Sequence, residues 1–313
     1  MMNTDLTHLQ AISAYLPAHL LANLVAQPGV SLEGWQTRAE VVTLFVDVSG
    51  FTAMSETLAG LGKQGAEDLT RVLNDYFTTM VDVVRDYGGF VLRFSGDAIT
   101  CQFPGSAEGM QLAVSCALVM QQAMSAFAAV ETKAGLFTLR MKIGISGGTA
   151  RSITVGQASL GLEYVLLGQP VDRAVEAEGI AEPGEVAVDG VCPYLAKADQ
   201  LLSLGLQFSE QRGDFRIVSP DTDLGAPVQT ASSLEGQLTD HQAAAVVERL
   251  IPFIPPNVVQ QIEAGHRAFV AEHRRVVSLF VAFEGLDYAQ DADAGRKLQA
   301  YFVAMQRLIY RFG

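Results

Sequence analysis

The chain has 313 residues, 49% of them hydrophobic and 18% charged, which is long enough for two domains and apolar enough for a substantial core. That composition is globular and excludes an intrinsically disordered chain. A formal net charge of −13 argues against a nucleic-acid partner and against docking on an anionic membrane.

The start, Met1 to Thr7, lacks the basic flank and apolar run of a signal peptide. Tyr15-Leu16-Pro17, with Leu20 and Leu21 following at helical spacing, predicts a short helix in a lead-in covering residues 1–37. Residues 41–48 read as a buried strand that runs into a tight turn at Gly50 and a helix starting near Thr52. A longer amphipathic helix is predicted from about Gly65 to Tyr87, with Leu69, Val72, Leu73, Tyr76, Phe77, Met80, Val84 and Tyr87 on one face. It stops at Gly88-Gly89, where glycine accepts the left-handed cap.

A hairpin follows (90–96 and 98–103), turning at Ser95-Gly96-Asp97, and then an Ala-rich helix over about 107–129. Leu112 to Val130 imitates a membrane span in hydropathy. Ser115, Gln121, Gln122 and Ser125 interrupt it and basic anchors are missing, so it reads as a helix buried on a sheet, with no membrane partner. Cys101, Cys116 and Cys192 are odd in number and irregularly spaced, which suits buried free thiols in a reducing, cytoplasmic setting. Next come a strand at 139–146, a second hairpin through about 152–166, a helix from Val171 and a strand at 185–188. This order predicts an α+β sandwich of the ferredoxin-like type, with helices on one face of a mixed, mainly antiparallel sheet. Residues 38–218 form this first domain, and the Pro-, Gly-, Ser- and Thr-rich stretch that follows makes 219–252 a linker.

The rest repeats the beginning. Arg38-Ala39-Glu40-Val41-Val42-Thr43-Leu44-Phe45-Val46 is echoed by Glu272-His273-Arg274-Arg275-Val276-Val277-Ser278-Leu279-Phe280-Val281. Leu73-Asn74-Asp75-Tyr76-Phe77 and Met80 are echoed by Leu298-Gln299-Ala300-Tyr301-Phe302 and Met305. The lead-ins match too, Tyr15-Leu16-Pro17 answering Phe253-Ile254-Pro255. Residues 253–273 therefore read as a second helical lead-in, and 274–313 as the start of a second, incomplete copy of the domain.

Two acids stand out. Asp47 sits in the apolar strand Leu44-Phe45-Val46-Asp47-Val48, where an unpaired charge costs several kcal/mol or more, and a metal ion is its natural partner. Asp97 lies at the tip of the apolar hairpin Leu92-Arg93-Phe94-Ser95-Gly96-Asp97. Each alone could be a turn-forming aspartate. Delivered from two strands to one end of a sheet, they make a site for Mg²⁺ or Mn²⁺ and phosphate. Gly50 allows the sharp turn that would let Val48, Ser49, Gly50, Phe51 and Thr52 cradle a phosphate on the start of the next helix.

These ordered segments resemble the class III nucleotide cyclases, most closely the soluble, bicarbonate-responsive adenylyl cyclase type. The resemblance implies conversion of ATP to 3′,5′-cyclic AMP and pyrophosphate, with Asp47 and Asp97 holding two ions, Val48 joining them as a metal-site residue, and residues 48–52 holding phosphate. It also implies a second cyclase domain as partner, in cis or in trans, and makes Arg93, where cyclases often carry Lys, a candidate for a non-catalytic pseudosite that receives bicarbonate. The chain departs from the family in Gly168-Gln169-Pro170-Val171-Asp172-Arg173-Ala174-Val175-Glu176, where Asp172 and Glu176 replace the catalytic Asn and Arg. Arg173 is displaced from the place of that arginine and is expected to face solvent or pair locally. Val165, after Tyr164, cannot select a purine by hydrogen bonding. In the second copy Ala282 replaces Asp47, which implies a division of labour between the units. The rival expectations are a guanylyl cyclase and a cyclase-like module that binds nucleotide, metal or bicarbonate without turnover.

Overall fold

The computed structural model describes residues 9, 12, 16, 18–195, 204–223, 225–227, 238–263, 279, 281–288 and 290–312. Its elements begin with α1 (Ala18–Ala26), β1 (Gln36–Ser49), α2 (Phe51–Ala59), α3 (Lys63–Asp86), β2 (Phe90–Ser95), β3 (Ala98–Pro104) and α4 (Ala107–Ala123). They continue with β4 (Val130–Thr132), β5 (Gly135–Phe137), β6 (Arg140–Gln157), β7 (Gly161–Leu167), α5 (Gln169–Ile180) and β8 (Val186–Asp189). The last are β9 (Phe208–Arg212), β10 (Phe215–Val218), α6 (Asp240–Leu250), α7 (Pro256–Glu263) and α8 (Ala294–Phe312).

One sheet runs in the order β2-β3-β1-β6-β8-β10-β9, with β7 also paired to β6. Its pairings among the described residues are antiparallel except that of β6 with β8. Side chains alternate across a strand. Val42, Leu44, Val46 and Val48 of β1 therefore enter the main core, while Thr43, Phe45 and Asp47 face the other way. The core side is roofed by α3, whose Val72, Tyr76, Met80 and Val84 recur at four-residue spacing, and by α4. α3 ends where Gly88 turns left-handed (φ 71°) and the Gly89 N–H donates to the Val84 carbonyl at 2.8 Å.

α4 is capped by Ser106, whose side chain accepts from the Gly109 N–H at 3.0 Å. By length and composition Ala107–Phe127 could cross a membrane, yet Met110, Ala113, Val114, Cys116, Ala117 and Met120 are fully buried against the sheet. All three cysteines are buried and free.

Several elements differ from the sequence expectation. The Ala-rich helix ends at Ala123, and its last residues form a 3₁₀ turn (Met124–Phe127) followed by the small β4–β5 hairpin. The strand read as ending at Ser146 continues unbroken to Gln157, through Gly147, which lies under the Tyr194 ring so closely that a Cβ would sit 2.5 Å from it. Helices cover both faces of the sheet, not one: α5 lies on the face opposite α3 and α4. It rests on Gly144, where a Cβ would stand 2.0 Å from the Ala174 carbonyl oxygen. That close backbone approach is open only to glycine.

The stretch read as a linker contains α6, started by a capping box between Thr239 and Gln242. Its Ala243, Val246, Val247 and Leu250 share one cluster with Leu20, Leu21 and Leu24 of the first lead-in, Ile254 and Val259 of the second, and Leu162 of β7. α8 packs on the β6–β7 ribbon, Leu298 and Phe302 meeting Ile153, Val155, Val165 and Leu167. The echo of β1 falls mostly outside the described residues; Leu279 and residues 281–286 carry no regular structure, and Leu279 is 64% exposed.

Candidate active site

The β1–β3 ladder reaches Val46 opposite Ile99, so the next residues along both strands bring Asp47 and Asp97 to the same end of the sheet. Gly96 (φ 67°) makes the hairpin turn that presents Asp97. Partial burial pushes the Asp97 carboxyl above the ordinary carboxylate range, and the charge of Asp47 adds to that rise, against a lowering by Asp97's own backbone hydrogen bond. The Tyr76 hydroxyl donates to the Asp97 carbonyl at 3.4 Å. Its phenol is pushed far up by burial, then by Cys101, Asp97 and Asp47. The two acids thus feel each other's charge at the end of the sheet. Among the described residues the Asp47 carboxylate makes no hydrogen bond or ion pair.

Val48 is 4% exposed with its side chain in the core, so only its backbone faces the site. Ser49 pairs with Arg140 at the end of the ladder. Gly50 then adopts φ 95°, and a Cβ there would lie 2.6 Å from the Thr138 carbonyl oxygen, so the turn requires glycine on two counts. It stands at the N-cap of α2 without a side-chain cap bond. The first-turn N–H groups, from Phe51 and Thr52 onward, are left to an outside acceptor.

Arg93 sits on the exposed part of β2, 3.6 Å from Glu163 of β7, each side chain 55% exposed. Asp172 lies in the first turn of α5, its carboxyl raised by burial and then by the neighbouring Glu176. Arg173 pairs locally, as the sequence predicts, and has a second, longer-range partner besides. It keeps its local partner Glu176 at 2.9 Å, but it also reaches across to β8, 2.7 Å from Asp189, and stacks 4.2 Å over the Phe215 ring. Tyr164 donates to Ser152 at 2.6 Å, and Val165 packs in the cluster under α8.

Two residues beside Asp47 went unnoticed in the sequence. Lys142 stands directly opposite Asp47 in the β1–β6 register, and Glu178 of α5 forms an ion pair with it. Only the register could have revealed them, because 95 residues of chain separate the two strand positions.

Two oxygen donors that repel each other, one of them without a partner, fit a hard divalent cation such as Mg²⁺ or Mn²⁺. Among the described residues no group of three or more His, Cys, Asp or Glu could form a full protein cage. A pair of carboxylates is the arrangement in which Mg²⁺ keeps waters and takes substrate phosphate oxygens.

Residues 34–216 match the adenylate and guanylate cyclase catalytic domain, and the chain belongs to that family. It is 31% identical over 157 residues to adenylate cyclase type 10 of Rattus norvegicus, covering 48% of this chain and 10% of that one. It is 29% identical over 179 residues to an adenylate cyclase of Anabaena cylindrica, covering 56% and 34%. The chain thus spans about a tenth to a third of the length of these relatives. The crystal structure of the adenylyl cyclase CyaB from P. aeruginosa superposes with a TM-score of 0.45 at 22% identity, over 64% of this chain and 99% of that one.

Proposed function

We propose that this chain is the metal-binding half of an adenylyl cyclase, making 3′,5′-cyclic AMP and pyrophosphate from ATP. The observation that carries the reading is the unpartnered Asp47 carboxylate beside Asp97, at the end of the sheet where the Gly50 turn opens α2. In the reaction the ribose 3′-oxygen bonds to the α-phosphorus, its proton leaves, and the bond from that phosphorus to the pyrophosphate oxygen breaks. Divalent cations, when bound, supply the positive charge that both the new nucleophile and the leaving pyrophosphate need. Asp47 and Asp97 hold those cations, and the backbone from Val48 to Thr52 orients the triphosphate. The adenine preference rests on relatives named as adenylate cyclases.

Base recognition and the cation facing the pentacovalent phosphorus fall to a second cyclase unit, in cis or in trans, because Asp172 and Glu176 are acids. The repeat supports a second unit within this chain. Val84 and Tyr87 of α3 are 0% and 5% exposed, whereas their counterparts Ile309 and Phe312 in α8 are 56% and 81% exposed. The last turn of α8 thus exposes two apolar positions whose counterparts in α3 are core, while Leu298 and Phe302 further back are covered by β6 and β7.

The test is cyclic nucleotide formation by the purified chain with Mn²⁺, offered ATP and GTP separately, beside Asp47→Ala. Metal-dependent ATP binding that is lost in Asp47→Ala supports the half-site. Turnover lost in that variant supports the cyclase reading and overturns the division of labour. Preference for GTP overturns the adenine assignment. Absence of binding overturns the proposal.

A further inference from the structure

The face of the sheet that carries Asp47 also carries an ammonium placed to neutralise it, that of Lys142. Asp47 and Lys142 are cross-strand partners in the β1–β6 register. Residues so placed have Cβ atoms about 4.5–5.5 Å apart, within reach of a lysine. Lys142 instead pairs with Glu178, on the part of α5 that lies over Gly144. A Cβ on Gly144 would sit 2.2 Å from the Glu178 backbone nitrogen, so the helix is pressed onto the sheet next to Lys142. The pair is well shielded, the Lys142 and Glu178 side chains being 22% and 10% exposed. Asp47, meanwhile, has no partner among the described residues.

We propose that Glu178 is a positioning residue that draws the Lys142 ammonium away from Asp47 and so keeps the Asp47 carboxylate open to a divalent cation. The proposal rests on the metal reading of Asp47 and Asp97. Its electrostatic logic is a competition: a lysine and a metal ion seek the same carboxylate oxygens, and whichever is held elsewhere yields them. With the Lys142 charge taken up by Glu178, the carboxylates of Asp47 and Asp97 are left to divalent cations. Glu178 touches no reacting atom in this scheme.

The experiment is Mn²⁺ binding to the full 313-residue chain, read from the free-ion paramagnetic resonance signal, with no nucleotide present. Glu178→Gln keeps the shape of the side chain and removes its charge, and Lys142 then turns to Asp47. Mn²⁺ affinity is expected to fall about tenfold. Lys142→Met/Glu178→Gln should restore wild-type affinity to within about twofold, because the competing ammonium is gone. A merely structural role for Glu178 would not be rescued by deleting its partner. Wild-type affinity in Glu178→Gln, or no rescue in the double variant, overturns the proposal while leaving the metal site standing, provided that Asp47→Asn abolishes binding. If the wild-type chain takes up no Mn²⁺, or Asp47→Asn binds as well as wild type, the metal reading itself is overturned and the proposal with it. Should Glu178→Gln not fold by circular dichroism, Glu178→Asp, which withdraws the lysine less completely, replaces it with the same expected direction.

Discussion

The guanidinium of Arg173 lies 2.7 Å from the Asp189 carboxylate and so bolts α5 to β8 across the sheet. Asp189 is 3% exposed, and it also accepts from the Ser146 hydroxyl at 2.8 Å and the Val191 N–H at 3.2 Å. The arginine nearest to the place of the family's catalytic arginine is therefore committed to holding the fold. Arg173→Ala leaves a buried carboxylate without its cation, a loss of about 3 kcal/mol. Urea unfolding measures it. Arg173→Ala/Asp189→Asn should lose less than the single variant, and equal losses would mean that the pair is not coupled.

Asp97 stabilises nothing by being charged. Burial and the Asp47 charge raise its carboxyl above the ordinary range, so the folded chain holds that proton more tightly than the unfolded chain does. The sign follows: the stability linked to this proton is present at low pH and is lost as pH rises through the folded value. Asp97→Asn should therefore melt at a higher temperature than wild type at pH 7, and the gain should vanish below the ordinary carboxylate range. The same variant should lose Mn²⁺ binding. Higher stability together with lost binding is the signature of a site strained for its ligand, and a destabilised Asp97→Asn would contradict it.

Asp47, Asp97 and Gly50 were legible in the sequence because each is announced by its immediate neighbours: a carboxylate in an apolar run, a Gly-Asp turn, a glycine between strand and helix. The amphipathic period of α3 and its Gly88 stop were legible for the same reason. What stayed hidden depends on order and register. The bond of Arg173 to Asp189 requires β8 to lie beside β6, and the place of α5 on the second face is decided by Gly144, which from sequence is only another glycine. Nothing around Lys142 in the sequence singles it out, and only the pairing sets it opposite Asp47.

Gly50 separates fold from site. Its φ of 95° costs an L-residue about 1–2 kcal/mol, and a Cβ 2.6 Å from the Thr138 oxygen adds a clash that the backbone must relieve. Gly50→Ala should lose about 2 kcal/mol or more in urea unfolding. Because relief moves the start of α2, ATP binding should weaken by more than Mn²⁺ binding does. Gly62 offers the control. It also has positive φ (60°) but nothing within 4 Å of a Cβ, so Gly62→Ala should show the strain without the loss of nucleotide.

The seat of α8 on the ribbon is held as much by amides as by apolar contact. Gln299 accepts from the Gly156 N–H at 2.8 Å and donates back to the Gly156 carbonyl at 2.9 Å, as a neighbouring strand would. Gln306 accepts from the Gln157 N–H at 3.1 Å and donates to the Gly161 carbonyl at 2.8 Å. Further in, an Arg151 guanidinium nitrogen donates to the Asp291 carbonyl at 3.2 Å, tying the approach to α8 to the same strand. Each such bond contributes about 0.5–1.5 kcal/mol, so losing both glutamines removes enough to open the contact locally. In Gln299→Ala/Gln306→Ala the amides of Gly156 and Gln157 should exchange with deuterium about tenfold faster, while Ile143 and Ile145, inside the sheet, keep their protection. Unchanged exchange at Gly156 would mean that Leu298 and Phe302 alone hold the helix. A faster rate along all of β6 would mean that α8 supports the whole strand and not only its exposed end.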